Sequence, residues 1–234
     1  MLSSTKLKSL KPFIDIIESH KGKTLGDIFL ELNSHRHQHF KKGASGLIIE
    51  NLLGLENNNS KKADLENLKI EIKVLPIQLN NLKAKEPTQI KMINYVQVAN
   101  EKWENAEIRD KIETIFWIAY GVNKVNGKNV SQDKYILLDW FIDVPDREVQ
   151  KIFQKDWEEI RAYIIAGKAD QLSCSMGVYI EPKTKGKNNQ DMTNAPDGKQ
   201  GFIRVRRRAF YFKKNYTNSK VIKELNLGVI KSSK

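Results

Sequence analysis

The stretch ADLENLKIEIKVLP, residues 63–76, sets a carboxylate and an ammonium two residues apart, Glu71 and Lys73, inside a run of strand-forming residues. A second carboxylate, Asp64, precedes Glu71 by seven residues. On a β-strand residues i and i+2 share a face, so Glu71 and Lys73 are expected on one side, with Ile70, Ile72 and Val74 turned to the core. A short turn would bring Asp64 back beside Glu71. Two hard carboxylates suit Mg²⁺, which keeps several waters and takes phosphate oxygens as further ligands. Such an ion polarises a phosphodiester and lowers the pKa of bound water, while a lysine at position 73 orients or deprotonates that water and stabilises the developing charge. The chemistry suggested is Mg²⁺-assisted phosphodiester hydrolysis. The triplet alone does not require it, because a strand with a solvated polar face would read the same way. A second Glu-x-Lys stands at Glu181, Pro182 and Lys183, with proline at its centre and no aspartate at the matching upstream distance.

The charge distribution points to a polyanionic partner. Of the 40 Lys/Arg and 28 Asp/Glu, residues 181–234 hold 14 and 4, leaving 26 and 24 for residues 1–180. A one-sided basic segment is the electrostatic footprint of a phosphate-backbone binder. Within it FIRVRRRAFYFKKNY interleaves charge with apolar and aromatic residues, as a folded strand does and a solvated tail does not. Arg207 lies in this run and is a candidate DNA contact. The single cysteine, Cys174, excludes an internal disulfide and a thiolate metal cluster. With no apolar run of membrane-spanning length and no secretory leader, the expected setting is the cytoplasm, with no membrane partner.

The elements that would position these residues follow from periodicity. Two helices, joined near residues 21–23, are expected in KLKSLKPFIDIIESHKGKTLGDIFLELN. A polar loop follows, carrying histidines at 35, 37 and 39; their alternation suggests a metal site, but no further ligand stands at the usual spacing. GLIIENLLG reads as a helix whose apolar face is interrupted by Glu50. LKIEIKVLPI and QIKMINYVQVA read as strands, as do the apolar end of the WENAEIRDKIETIFWIAYGV segment and KYILLDWFIDV, the last two separated by the turn NGKN. PDREVQKIFQKDWEEIRAYIIAGK has a proline start, an acidic first turn, helical periodicity and a glycine stop. MGVYIEPK, a Gly/Asn/Lys loop, FIRVRRRAFYFK as one strand and a closing helix from about residue 217 complete the chain. The expected class is α+β or mixed α/β, a central mixed sheet flanked by helices. One nuclease domain is expected over residues 1–234: a helical part to 45, a catalytic core over 46–150, then a helix and a basic recognition segment.

Taken in order, KKGASGLIIENLLG, Asp64, IEIK, WENAEIRDKIETIFWI, KDWEEIRAYIIAGK and RAFYFKKNYT closely resemble the MutH family, which joins a mismatch-repair nicking endonuclease with GATC-cutting type II restriction enzymes of the PD-(D/E)xK superfamily. The resemblance extends from about residue 22 to 221 and implies a restriction-endonuclease-like core. It also implies that Asp64 and Glu71 bind the metal and that Lys73 is catalytic. Glu50 matches an additional active-site glutamate able to join the metal set, and Lys111 a further lysine near the scissile phosphate. Lys42 and Gly43 match a DNA-contacting pair, and Tyr211 a tyrosine at the DNA interface. The chain departs from the repair enzyme where Glu181 replaces an arginine before the Pro-Lys of the base-reading loop. Glutamate cannot make the bidentate contacts to guanine that arginine makes, so guanine reading would pass to Lys183, Lys185 or a neighbour in KTKGKNN.

The expected function is that of a type II restriction endonuclease acting with Mg²⁺ on double-stranded DNA at GATC, with a homodimer on DNA as one arrangement for cutting both strands. The alternative is a MutH-like nicking enzyme activated by a mismatch-repair partner. A third possibility is a DNA-binding or effector module without catalysis.

Overall fold

The computed structural model describes residues 2–33, 43–55, 63–65 and 68–225. In chain order the helices are α1 (Ser4–His20), α2 (Leu25–Asn33), α3 (Ala44–Leu52), α4 (Tyr95–Asn100), α5 (Arg147–Ile165) and α6 (Lys214–Glu224). The strands are β1 (Glu71–Gln78), β2 (Lys83–Ala84), β3 (Thr88–Met92), β4 (Ile115–Val122), β5 (Lys124–Val125), β6 (Lys128–Asn129), β7 (Ile136–Asp143), β8 (Ile180–Thr184), β9 (Met192–Pro196), β10 (Phe202–Arg206) and β11 (Arg208–Phe212). They form two compact units interleaved along the chain. One is made of Met1–Glu86, Thr114–Val144 and Asn218–Lys234, the other of Pro87–Glu113 and Pro145–Thr217.

The first unit holds a mixed sheet of order β2-β1-β4-β7. β4 is apolar or glycine throughout and buried at all eight positions, as a strand covered on both faces must be. It runs parallel to β1 and antiparallel to β7. Helices α1, α2 and α3 cover the sheet through Leu10, Ile17, Leu25, Ile28, Ile48 and Ile49, which join Ile70, Ile72, Phe116 and Ile118 in one core. Between α1 and α2 the chain turns at Gly22 (φ +83°), a conformation that favours glycine, and hydrogen-bonds across Leu137 of β7. The NGKN turn joins β5 to β6 as a two-stranded ribbon. The expected central mixed sheet flanked by helices is what forms here.

The second unit holds an antiparallel sheet of order β3-β11-β8, a separate β9–β10 ribbon, and α5. Phe153 and Trp157 of α5 share its core with Phe212 and Tyr216. Two expectations need correction here. QIKMINYVQVA is a strand only to Met92; from Tyr95 it is helical, because the side chain of Asn94 accepts from the backbone N–H of Gln97 and caps α4. FIRVRRRAFYFK is two strands with different partners, broken at Arg207, whose N–H is taken by the Asp191 carbonyl and whose carbonyl accepts from Lys185. Its first half pairs with β9, a strand inside the segment read as loop. Among the described residues no helix is long and apolar enough to cross a membrane.

Candidate active site

The acidic cluster is built at the start of β1. Leu65 and Ile70 form an antiparallel bridge (Leu65 N to Ile70 O 3.0 Å, Ile70 N to Leu65 O 3.3 Å), with Lys69 in the left-handed region at φ +52°. This tight turn is the one that the Asp64–Glu71 spacing called for. It carries Asp64 back along β1, where its Oδ2 accepts from the backbone N–H of Ile72 at 2.9 Å. Glu71 is fixed on the other side by parallel pairing with β4, its N–H donating to Thr114 O at 3.0 Å. Glu71 and Lys73 share a face, and the Lys73 ammonium lies 2.5 Å from Glu71 Oε1. The Glu71 side chain is only 3% exposed, so the pair sits deeper than a solvated strand face would.

Glu50 reaches the same place from α3. Gly46, one helical turn earlier and on the same helix face, lies so close to β1 that a Cβ there would stand 3.8 Å from Val74 Cγ2. The Glu50 carboxyl is therefore turned toward β1. Burial holds it above the ordinary carboxylate range, helped by the negative charges of Asp64 and Glu71 and opposed by Lys73. The helix is anchored at its start, where Gly43 adopts φ +89° and Ser45 donates to Gln132 at 3.0 Å. Burial pushes the neighbouring Tyr120 hydroxyl up to about 12, so it remains a neutral hydrogen-bonding group at any ordinary pH.

The first unit thus brings together Glu50, Asp64, Glu71 and Lys73. Among the described residues no three acidic, histidine or cysteine side chains close tightly enough to enclose an ion. The donors fit a hard divalent cation in a more open way, through one or two carboxylates with water and a substrate oxygen completing the shell. A half-buried carboxyl raised first by burial and then by two acidic neighbours marks a place where added positive charge is stabilising. Lys111 lies in the second unit, 6% exposed, at the end of the one-turn helix Arg109–Lys111. Lys42 and the histidines at 35, 37 and 39 lie outside the described residues.

The other basic candidates belong to the second unit. Glu181 and Tyr211 are directly opposed on β8 and β11, and both are buried. Burial raises the Glu181 carboxyl pKa, against the lowering effect of Lys183 and Lys213. The Lys183 ammonium stands 5.6 Å from the Tyr211 ring centroid, a cation–π distance. Lys185 is exposed, and the Arg207 guanidinium is bonded to Asp191 Oδ1 at 2.7 Å. Two aspartates that sequence reasoning missed order this region. Asp191 accepts from the N–H of Lys187 (2.9 Å) as well as from Arg207, closing the basic loop. Those bonds hold its carboxyl below the usual range. Asp156, on the buried face of α5, accepts from the N–H groups of Val178, Tyr179 and Ile180 at 2.7–2.8 Å and pins the entry to β8. Its signal in the sequence was a carboxylate at an apolar helix position in QKDWEEI.

The family model described as "DNA mismatch repair enzyme MutH" matches residues 53–156, which include Asp64, Glu71, Lys73 and Lys111. The chain is 28% identical over 214 residues to "DNA mismatch repair protein MutH" of Haemophilus influenzae (strain PittGG), spanning 90% of this chain and 93% of that protein. It is 29% identical over 189 residues to the protein of the same name from Pasteurella multocida (strain Pm70), spanning 80% and 82%. To "Type II restriction enzyme Sau3AI" of Staphylococcus aureus it is 31% identical over 216 residues, spanning 91% of this chain but 43% of that enzyme. With the ordered motifs, the mixed sheet and relatives of both kinds in agreement, the chain belongs to the MutH and Sau-type family of the PD-(D/E)xK superfamily.

Proposed function

We propose that this chain is a DNA endonuclease that hydrolyses phosphodiester bonds with Mg²⁺ at a short specific site, GATC, and works as a type II restriction enzyme. The observation that carries this reading is the meeting of Asp64 with the Glu71–Lys73 pair at one end of β1, under Glu50. Relatives named as a restriction enzyme and as mismatch-repair proteins support a DNA substrate. In this reading the whole chain acts as one nuclease domain in the cytoplasm, and a second copy supplies the cut on the opposite strand.

Asp64 and Glu71 would hold the ion, with Glu50 as a further ligand or as the group that orients its waters. When bound, Mg²⁺ supplies Lewis acidity toward the scissile phosphate and a more acidic water. Lys73 has its charge fixed beside Glu71, where it orients the attacking water and offsets negative charge building on the phosphoryl oxygens. The family resemblance gives Lys111 the role of a second positive charge near the phosphate. Water adds to phosphorus, the bond to the bridging oxygen breaks, and the leaving oxygen takes up a proton. Lys183 and Lys185, with Lys42, Gly43, Arg207 and Tyr211, form the DNA-binding set.

The test is plasmid DNA carrying GATC sites, incubated with the protein and Mg²⁺ and with Mg²⁺ removed by chelation, followed by sequencing of the ends. Discrete Mg²⁺-dependent ends at GATC are expected, and Lys73→Ala should give none. Ends scattered at random would overturn the specificity. Cutting by Lys73→Ala at the parent rate would overturn the site.

The mismatch-repair names of most relatives favour a second reading, a nicking enzyme activated by a repair partner. A plasmid with one site separates the two: linear product supports the restriction enzyme, and open circles that accumulate only with a partner protein support the nickase.

A further inference from the structure

The β9–β10 ribbon has two unlike faces. Register pairs Ile203 with Ala195 and Val205 with Thr193 on one face, where Val205 and Ala195 are 2% and 0% exposed. The alternation places Phe202, Arg204 and Arg206 of β10 on the opposite face, beside Asn194 of β9, and all four are exposed. Phe202 is 62% exposed, although a phenylalanine that had packing available would be covered. The ribbon is stiff at its tip, where Asp197 accepts from the N–H groups of Lys199 and Gly201 (2.8 and 3.0 Å). It is also ordered at its middle, where Arg204 donates to Asn194 Oδ1 and Met192 O. Both aspartates of residues 183–214 have local tasks, Asp191 in the basic loop and Asp197 in this turn, so they leave the positive charge of the ribbon face in place.

We infer that this face is a second DNA contact, in which Arg204 and Arg206 engage phosphates flanking the recognition site and Phe202 packs against the sugar edge beside them. The inference rests on the proposed DNA endonuclease reading. A two-stranded ribbon has the dimensions to lie against a duplex groove. Arg204 and Arg206, two residues apart, stand about 6.8 Å apart along the strand, comparable to two steps of roughly 3.4 Å along one DNA strand. The Arg204 guanidinium is held by neutral oxygens, which orient it without neutralising it. Phosphate contacts position a protein without reading sequence, so this face contributes affinity and register while base discrimination stays with β8.

The experiment is equilibrium binding of the full chain to a duplex of about 30 base pairs containing GATC, with metal omitted, across a range of NaCl concentrations. The variants are Arg204→Ala/Arg206→Ala and, as a milder charge removal, Arg204→Gln/Arg206→Gln. Each phosphate contact contributes about 0.9 to the slope of log affinity against log salt, so the double variants should lose about 1.8. Between about 50 and 200 mM salt they should then lose roughly tenfold less affinity than the parent does, with equal preference for GATC over a scrambled duplex. Melting temperatures should fall only slightly, because the two hydrogen bonds that Arg204 gives up are exposed. A parent-like slope and affinity would overturn the inference while leaving the nuclease reading intact. Loss of GATC preference with an unchanged slope would also overturn it. A parent that shows no salt-dependent affinity for the duplex would remove both readings together.

Discussion

The molecule contains the same triplet twice, in two environments. Glu71-Ile72-Lys73 opens β1 and Glu181-Pro182-Lys183 lies in β8, and in both the glutamate is buried. At β1 the lysine lies 2.5 Å from its glutamate, a bridged turn delivers Asp64, and Glu50 comes in from α3. At β8 the lysine leans over the Tyr211 ring, and the carboxylate at the strand's start, Asp156, comes from α5 and is taken up by backbone N–H groups. The turn before β1 supplies an acidic residue; the entry to β8, residues 178–180, supplies three backbone N–H groups that already have Asp156 as their partner. A Glu-x-Lys becomes a candidate catalytic site through what the preceding turn brings to it.

The contrast is broken most severely at its catalytic end. Lys73→Ala or Asp64→Ala should lower the cleavage rate on a GATC plasmid by at least about 10²- to 10³-fold, the scale seen when one group aimed at developing transition-state charge is removed. Binding to the same DNA should fall far less. Comparable losses of rate from Lys73→Ala and Lys183→Ala would erase the distinction between the two triplets.

Next in size is the scaffold of the second triplet. Asp156→Ala removes the acceptor of three backbone N–H groups at the entry to β8, and about 1–3 kcal/mol for the buried Ile180 donor, with smaller losses at the part-buried Val178 and Tyr179, gives a loss of a few kcal/mol. Denaturant unfolding should show the loss. Asp156→Asn, which keeps one acceptor oxygen, should recover part of it. Stability equal to the parent's in the alanine variant would mean that the entry to β8 does not depend on this carboxylate.

Much of this organisation could be read before the fold was known, for identifiable reasons. β4 and α5 carry long, uniform patterns, an unbroken apolar run and a sustained helical period with its cap, and these leave little choice of structure. The Asp64 turn was legible because seven residues are just enough to reverse the chain. What escaped depended on partners distant in sequence. YVQVA is rich in the aromatic and β-branched residues that strands favour, and Asn94 as a cap decides otherwise. FIRVRRRAFYF reads as one strand, and its division at Arg207 follows from hydrogen bonds to Asp191 and Lys185. β9 is a polar MTNAP whose only apolar burial, at Ala195, comes from packing. Asp156 and Asp191 were passed over because their function is to fasten backbone that is remote or irregular.

A smaller effect separates reading from cutting. Lys183→Ala should cost about 1–3 kcal/mol of discrimination, roughly tenfold to a hundredfold, between GATC and a site altered at the guanine. Single-turnover cleavage of the altered and parent sites measures this ratio directly. If Lys183→Ala kept the parent's ratio while Lys185→Ala lost it, guanine reading would belong to the exposed loop beyond β8.

The smallest expected effect concerns Glu181, the residue that most separates this chain from an arginine-bearing reading loop. Burial raises its folded-state pKa above that of the unfolded chain, so its favourable contribution is complete below the unfolded carboxyl pKa and is lost as pH rises through the folded one. Above that point the folded protein keeps a charged carboxylate in a buried position, with Lys183 and Lys213 offsetting part of the cost. Glu181→Gln, nearly isosteric and never charged, should therefore gain in melting temperature relative to the parent as the pH is raised from acid to neutral. The gain should shrink as the pH returns to the acid side. The opposite trend, in which the glutamine variant loses ground at neutral pH, would mean that the attraction of Lys183 and Lys213 for the Glu181 carboxylate outweighs the cost of its burial.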